Sequence, residues 1–70
     1  MKRVLIDYTN WKGQRSLRWI MPEKVFFGAT EYHRTPQWLL SAFDVEKRAW
    51  RHVAMADIKS WRQEGETEEP

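Results

Sequence analysis

The sequence predicts an all-β domain in which five short strands curl into a small barrel. Apolar and polar residues alternate with a period of two, and clusters of turn residues separate the apolar segments. A chain of 70 residues forms one domain and buries only roughly 60% of the surface that its unfolded form exposes. A chain of this size cannot build an ordinary two-layer sandwich. Its sheet is therefore expected to curl into a nearly closed barrel, which protects the edge strands.

The first two strands are predicted from alternation on either side of a polar turn. Strand one covers residues 3–8, and the turn contains Asn10 and Gly13, which can take the positive φ that hairpin connections often need. Strand two covers residues 15–21. Pro22 should end or bend it, because proline has no backbone N–H to donate.

Three more segments complete the prediction. A short third strand covers residues 24–27, and a loop covers residues 28–36. Strands four and five, residues 37–44 and 49–54, form a hairpin that pairs a hydrophobic strand with a basic one. Residues 55–61 have the spacing of one or two amphipathic helical turns. The predicted architecture is therefore an SH3-like or Sm-like barrel with a short C-terminal helical turn.

Aromatic side chains are predicted to form much of the core, because a small chain without cysteine lacks disulfides to stabilise it. The core candidates are Trp19, Phe26, Phe27, Trp38, Phe43 and Trp50.

Charge divides the chain into a basic domain, residues 1–62, and an acidic tail, residues 63–70, which we expect to be disordered. The domain has twelve basic and six acidic residues, a formal charge of +6, and the four glutamates of the tail give −4. A basic domain can attract phosphates, and the tail can shield its surface. Alternatively, the basic residues only keep an aromatic-rich domain soluble.

No segment has the apolar run of a signal peptide or the ~20 consecutive apolar residues of a transmembrane helix. We therefore expect a soluble cytoplasmic protein without a membrane partner.

The order of several short motifs resembles the WYL domain family. The matching residues are Ile6-x-Tyr8, Gly13, Ser16-x-Arg18-x-Ile20-x-Pro22, Trp38-Leu39-Leu40, Arg51 and Ile58. The resemblance implies a small Sm-like or SH3-like barrel. It also implies a role in bacterial or phage transcription regulation, in which a basic groove senses nucleic-acid or nucleotide-like ligands.

The chain departs from the family pattern at two positions. Leu39 stands where the family usually has tyrosine, so a hydroxyl that would face the ligand is missing. Asp57 stands where the family often has a basic residue, so a carboxylate replaces one phosphate-binding charge. The match also starts within the first residues, so we expect a stand-alone copy without the usual helix-turn-helix. Sequence-specific recognition of duplex DNA is then expected only with a partner chain.

Three polar residues are predicted to bind phosphate. The guanidinium groups of Arg18 and Arg51 can each hold a phosphate through two hydrogen bonds from a rigid strand. A structural salt bridge, to Asp7 or Asp44, is the alternative for Arg18. Ser16 can donate to the same phosphate, or it can simply pair across a hairpin.

Two aromatic residues and a histidine complete the predicted ligand site. Tyr8 can stack on a base or donate its phenol, or it can pack as a half-buried core residue. Trp11, in a polar turn, can stack on a base or cover a partner surface, or it can pack against Lys12 or Arg15. His33 can bind phosphate when protonated, or it is an ordinary exposed loop residue.

Catalysis, a cofactor and a metal are not expected. Ser16, His52 and Asp57 lack the spacing of any triad family, and two distant histidines make a poor metal site.

Two functions remain. The first is a regulatory module that binds single-stranded nucleic acid or a nucleotide. The second is a protein-interaction module, in which a barrel edge and an aromatic patch dock a partner subunit such as a separate DNA-binding protein. A homodimer that covers a strand edge is a further expectation.

Overall fold

The computed structural model describes residues 3–63 of the chain. Within this range the chain forms one antiparallel sheet of five strands, in the spatial order β4-β3-β2-β1-β5. The all-β prediction is therefore confirmed. The elements are β1 (Val4–Thr9), β2 (Arg15–Gly28), β3 (Gln37–Asp44), β4 (Ala49–Ala54), a 3₁₀ turn (Met55–Asp57) and β5 (Ile58–Gln63).

The sheet is strongly bent but does not close into a barrel. β4 and β5 form its two ends, and no ladder joins them within residues 3–63. The bend follows from the connection between them: four residue steps lead from Ala54 to Ile58 and span at most about 14 Å. In a flat sheet, β4 and β5 would lie about 19 Å apart. The sheet must therefore curl to bring its end strands near each other.

The second and third predicted strands, residues 15–21 and 24–27, are one continuous strand. β2 pairs with β1 along its first half and with β3 along its second half, and the pairing register shifts between Pro22 and Lys24. A β-bulge tolerates a proline because the ladder is already interrupted there. The prediction that Pro22 separates two strands was wrong, whereas its bending role fits the bulge.

The predicted helical turn is limited to the 3₁₀ residues Met55–Asp57, and the chain then continues as strand β5. β5 pairs with β1 over its whole length, with a bulge opposite Asp7 and Tyr8. The backbone N–H and C=O groups of residues 58–63 form hydrogen bonds with the free edge of β1 instead of with one another, as they would in a helix. Strand pairing therefore prevails over the helical spacing of the apolar residues. Gln63, assigned to the tail by its sequence, belongs to β5. The rest of the predicted disordered tail, residues 64–70, lies outside the described residues.

Apart from Tyr8, the core cluster is aliphatic, and it contains none of the aromatic residues predicted for the core. Among the predicted core residues, Phe27, Trp38 and Trp50 are about 60% exposed. Phe27 and Trp38 form an edge-to-face ring pair with centroids 5.4 Å apart, and Phe43 and Trp50 form another at 5.4 Å. The concave face of so small a sheet leaves room for medium-sized side chains, and the large rings pack in pairs outside it. The core cluster is Val4, Ile6, Tyr8, Ile20, Leu40, Ala42 and Val53, with Ile58 packed against it.

Asp7 lies on the face of β1 opposite the core cluster, and its carboxylate forms an ion pair with Arg15. Arg15 donates from Nε to one carboxylate oxygen at 2.8 Å and from Nη2 to the other at 2.5 Å. These hydrogen bonds lower the pKa of Asp7 below its ordinary value of 3.8, and burial opposes them only in part. Because the folded pKa is lowered, the pair stabilises the fold above the ordinary pKa and loses this effect as the pH falls through the folded value.

We therefore expect Asp7→Asn to reduce the acid sensitivity of the fold. The urea midpoint of the wild-type protein should fall between about pH 5 and pH 2, and that of the variant should fall less. Glu31→Gln removes a carboxylate from an exposed loop residue and should leave the wild-type pH dependence unchanged. Equal pH slopes in the wild type and Asp7→Asn would contradict the stabilising role of the pair.

Candidate functional site

A polar pocket of about 260 Å³, here called the basic pocket, opens beside the turn between β1 and β2. Among the described residues that line it, four are basic and none is acidic. Five of the six predicted ligand-binding residues line it. The lining residues are Tyr8, Asn10, Trp11, Lys12, Gln14, Ser16, Arg18, Lys47 and Arg51.

The strand register explains why these side chains meet. Tyr8 pairs with Ser16 across β1 and β2, and Arg18 follows Ser16 two residues later on the same face. Arg51 pairs with Ala42, a core residue, so it also points to the concave face. The basic pocket is therefore the polar end of the face that elsewhere forms the core.

A buried carboxylate, Asp44, anchors the two arginines. Its side chain is fully buried, and its Oδ2 lies 2.8 Å from Nε of Arg51 and 3.8 Å from Nε of Arg18. Its Oδ1 accepts hydrogen bonds from the backbone N–H groups of Glu46 and Lys47, each at 3.0 Å. The salt bridge considered as an alternative for Arg18 is thus present, and Arg18 lines the pocket as well.

The contacts of Asp44 with the arginines are ion pairs without hydrogen-bond alignment. Within residues 3–63, Oδ2 of Asp44 and the Nε atoms of Arg18 and Arg51 have no hydrogen-bond partner, although all three atoms are buried. Glu46 lies 3.7 Å from Nη1 of Arg18, but its side chain is about half exposed. Two guanidinium groups thus share one buried carboxylate. With Lys12 and Lys47 added, the pocket has an excess of positive charge suited to an anion.

A second cavity of about 310 Å³, here called the aromatic pocket, adjoins the basic pocket. Trp11 and Arg51 line both, and a recess of about 20 Å³ between them is also lined by Trp11 and Arg51. The rings of Trp11 and Tyr32 are 5.2 Å apart at 35°, and both side chains are mostly exposed. The lining residues are Trp11, Thr30, Tyr32, His33, Ala49, Trp50, Arg51 and His52.

Local backbone hydrogen bonds position the loops around these pockets. Oδ1 of Asn10 accepts from the N–H groups of Lys12 at 2.9 Å and Gln14 at 3.0 Å. Gly13 has a φ of 83°, a conformation that glycine adopts without a steric penalty. In the following loop, the N–H of His33 donates to the hydroxyl of Thr30 at 3.2 Å, and the Thr30 N–H donates to the His33 carbonyl at 2.8 Å. The turns therefore hold the lining side chains over the sheet.

All six predicted ligand-binding residues line these adjoining cavities. His33 lies in the aromatic pocket rather than the basic pocket. Tyr8 is only 5% exposed, so it is a core residue whose edge reaches the pocket. Nζ of Lys12 lies 5.4 Å from the centroid of the Trp11 ring, so the predicted alternative, packing of Trp11 against Lys12, is present. Trp11 is nevertheless 57% exposed.

Several lining residues were not predicted from the sequence, and Trp50 and His52 are two of them. Trp50 was predicted to lie in the core, and His52 follows Arg51 directly on β4, so alternation places it on the other strand face. Because β4 is an end strand of the sheet, the aromatic pocket wraps around it and includes residues from both faces. The basic residue Lys47 was available as a signal, since its turn leads directly into the strand that contains Arg51.

Neither departure from the WYL pattern lies in these pockets. Leu39 is fully buried and alternates with the concave-facing residues Leu40 and Ala42, so it points to the other face of β3. Asp57 belongs to the 3₁₀ turn and lines neither the basic nor the aromatic pocket.

Comparisons with protein-family models, curated proteins and solved structures found no match. The WYL resemblance therefore stays a prediction. In the described part of the chain, no helix is long and apolar enough to span a bilayer. The same residues contain no group of three or more histidine or carboxylate side chains that could hold a metal ion.

Proposed function

We propose that this protein is a non-catalytic module that binds single-stranded nucleic acid or a nucleotide-like ligand and is linked to transcription regulation. The ligand occupies the groove formed by the basic and aromatic pockets. The observation that carries the proposal is their continuity through Trp11 and Arg51, which sets four cations beside exposed aromatic rings.

Arg18 and Arg51 are the phosphate ligands in this proposal. Both side chains are about two-thirds buried or more, and both extend from paired strands. Asp44 engages the Nε side of each guanidinium, and Glu46 lies 3.7 Å from Nη1 of Arg18, so the remaining terminal nitrogens are the groups offered to the ligand. Charged hydrogen bonds from a pre-positioned fork bind phosphate more strongly than flexible ammonium groups do. Lys12, Lys47 and the Ser16 hydroxyl add weaker contacts around the same space.

The aromatic pocket favours a nucleotide over a simple inorganic anion. Bases of any sequence stack on aromatic rings, and Trp11 and Tyr32 expose theirs next to the cations. Each pocket alone is near the lower end of the roughly 300–1,000 Å³ typical of small-molecule sites. A ligand with a phosphate in one pocket and a base in the other uses both.

We propose that the bent sheet is an SH3-like or Sm-like barrel left open between β4 and β5, that the chain is a WYL domain, and that it acts in the cytoplasm. The long bent strand β2, shared between both halves of the sheet, supports the barrel assignment. The meeting of Ser16, Arg18, Tyr8 and Arg51 in one pocket supports the family assignment.

Titration of tryptophan fluorescence with a short single-stranded oligonucleotide tests the proposal. We expect quenching at low salt and weaker binding at moderate salt. If all four cations neutralise phosphates, the slope of log affinity against log salt is about −3. A flat titration at low salt, with circular dichroism showing a folded protein, would refute nucleic-acid binding.

The second candidate is a protein-interaction module. Exposed aromatic rings on the sheet, such as the pair Phe27 and Trp38, and the end strands β4 and β5 favour it. A partner subunit or a second copy of the chain would cover these surfaces. Association that is insensitive to salt, combined with no response to oligonucleotides, would favour this candidate.

A further inference from the structure

We infer that the ligand is a single strand of several nucleotides and that it continues past the aromatic pocket onto the convex face of the sheet. This inference rests on the proposed function and narrows its ligand class. The strand passes over Trp50, an exposed ring on an end strand of the sheet, into a further pocket.

That further pocket, here called the outer pocket, has a volume of about 320 Å³ and is lined by Met21, Pro22, Glu23, Phe43 and Trp50. The register explains its composition, because Met21 pairs with Phe43 and Phe43 pairs with Trp50 across three adjacent strands. These side chains face away from the core residue Ala42. The outer pocket is thus an aromatic and apolar depression on the convex face.

Trp50 joins the outer pocket to the groove. It lines the outer pocket and the aromatic pocket, just as Trp11 and Arg51 line the aromatic and basic pockets. Trp50 lies on an end strand, is 62% exposed and contributes to the lining of a pocket on each side of that edge. The three pockets therefore follow one another across the edge of the sheet through shared lining residues, and this series is here called the track.

The chemistry along the track changes from charge to stacking. Cations line the basic pocket, whereas Glu23 is the charged side chain among the described residues of the outer pocket. Glu23 is engaged there, since its carboxylate accepts a hydrogen bond from the Ser41 hydroxyl at 3.0 Å. The edge-to-face rings of Phe43 and Trp50 remain as the surface that a base can cover. The outer pocket is expected to add affinity by stacking, without a further phosphate contact.

A length series tests the inference. Tryptophan quenching would be measured with thymidine monophosphate and with oligothymidylates of about two, four and eight nucleotides. In the wild-type protein, affinity should rise by at least about fivefold when the strand becomes long enough to reach the outer pocket. In Phe43→Leu, thymidine monophosphate should bind as in the wild type, and this increase should be lost. The salt slope should be the same in both proteins, because no phosphate contact is removed.

Phe27→Leu is the matched control, because Phe27 belongs to an equivalent edge-to-face pair outside the track. It should keep the full length dependence. Equal affinities for the monophosphate and all oligonucleotides in the wild type would overturn the inference and leave the proposed function standing. Unchanged length dependence in Phe43→Leu would also overturn it and leave the outer pocket to a protein partner. Failure of every ligand to bind would refute the proposed function itself.

Discussion

Asp44→Ala is expected to lower the free energy of unfolding by about 3–5 kcal/mol, the largest effect of any single substitution considered for this protein. Asp44 is completely buried, and its Oδ2 is the counter-charge for Arg18 and Arg51. Removing it leaves two guanidinium groups close together without their shared carboxylate. It also removes the acceptor that closes the turn after β3. A domain of this size has only about 5 kcal/mol or somewhat more to lose, so a large fraction should unfold.

Urea unfolding followed by circular dichroism measures the loss. Glu46→Ala is the matched control, because Glu46 contacts the same Arg18 but is about half exposed. That variant should lose less than about 1 kcal/mol. Asp44→Asn keeps an oxygen that can accept from the turn, so it should be more stable than Asp44→Ala while still lacking the charge. An Asp44→Ala protein as stable as Glu46→Ala would show that the buried ion pairs contribute little to the fold.

Arg18→Lys and Arg51→Lys are each expected to weaken oligonucleotide binding by at least about tenfold. Lysine keeps the positive charge opposite Asp44, so the fold should survive. It cannot, however, engage Asp44 through one nitrogen and offer another to a phosphate at the same time, as the guanidinium does. The measurement is the same fluorescence titration, repeated over a range of salt concentrations.

The controls separate a bound phosphate from general attraction by charge. Arg34→Ala removes a positive charge from an exposed loop residue that lies outside both pockets, and it should change affinity little. Both lysine variants should keep the wild-type salt slope because their charge is unchanged. If Arg34→Ala weakens binding as much as Arg51→Lys does, the groove is not the binding site.

Asp44 connects the stability of the fold to the geometry of the candidate site. The domain sets two arginines at the end of its core face, where desolvation of their charges is costly. One buried carboxylate offsets part of that cost and orients both side chains, while their exposed ends stay in the pocket. We therefore expect the arrangement that makes the site attractive to an anion to make the fold sensitive to the loss of Asp44.

Much of the local structure could be predicted from the sequence, because alternation and turn chemistry act between near neighbours. The predicted bounds of β3 and β4, residues 37–44 and 49–54, agree with the structure, and β1 differs by one residue at each end. The two-residue spacing of Ser16 and Arg18 placed them on one strand face, and the register puts that face toward the core. The glycine with positive φ in the first turn, Gly13, was also predicted.

The sequence by itself thus determined strands β1, β3 and β4, the first turn and two of the four basic residues of the basic pocket, Arg18 and Arg51, because their patterns are local. Only the tertiary structure decided that β2 runs through Pro22, that β5 replaces a helix, and that Trp50 lies outside the core. It also decided that Asp44 joins Arg18 to Arg51. Each of these outcomes depends on how the strands pair in the sheet, which supplies hydrogen bonds, a counter-charge or a limited space that no local pattern contains.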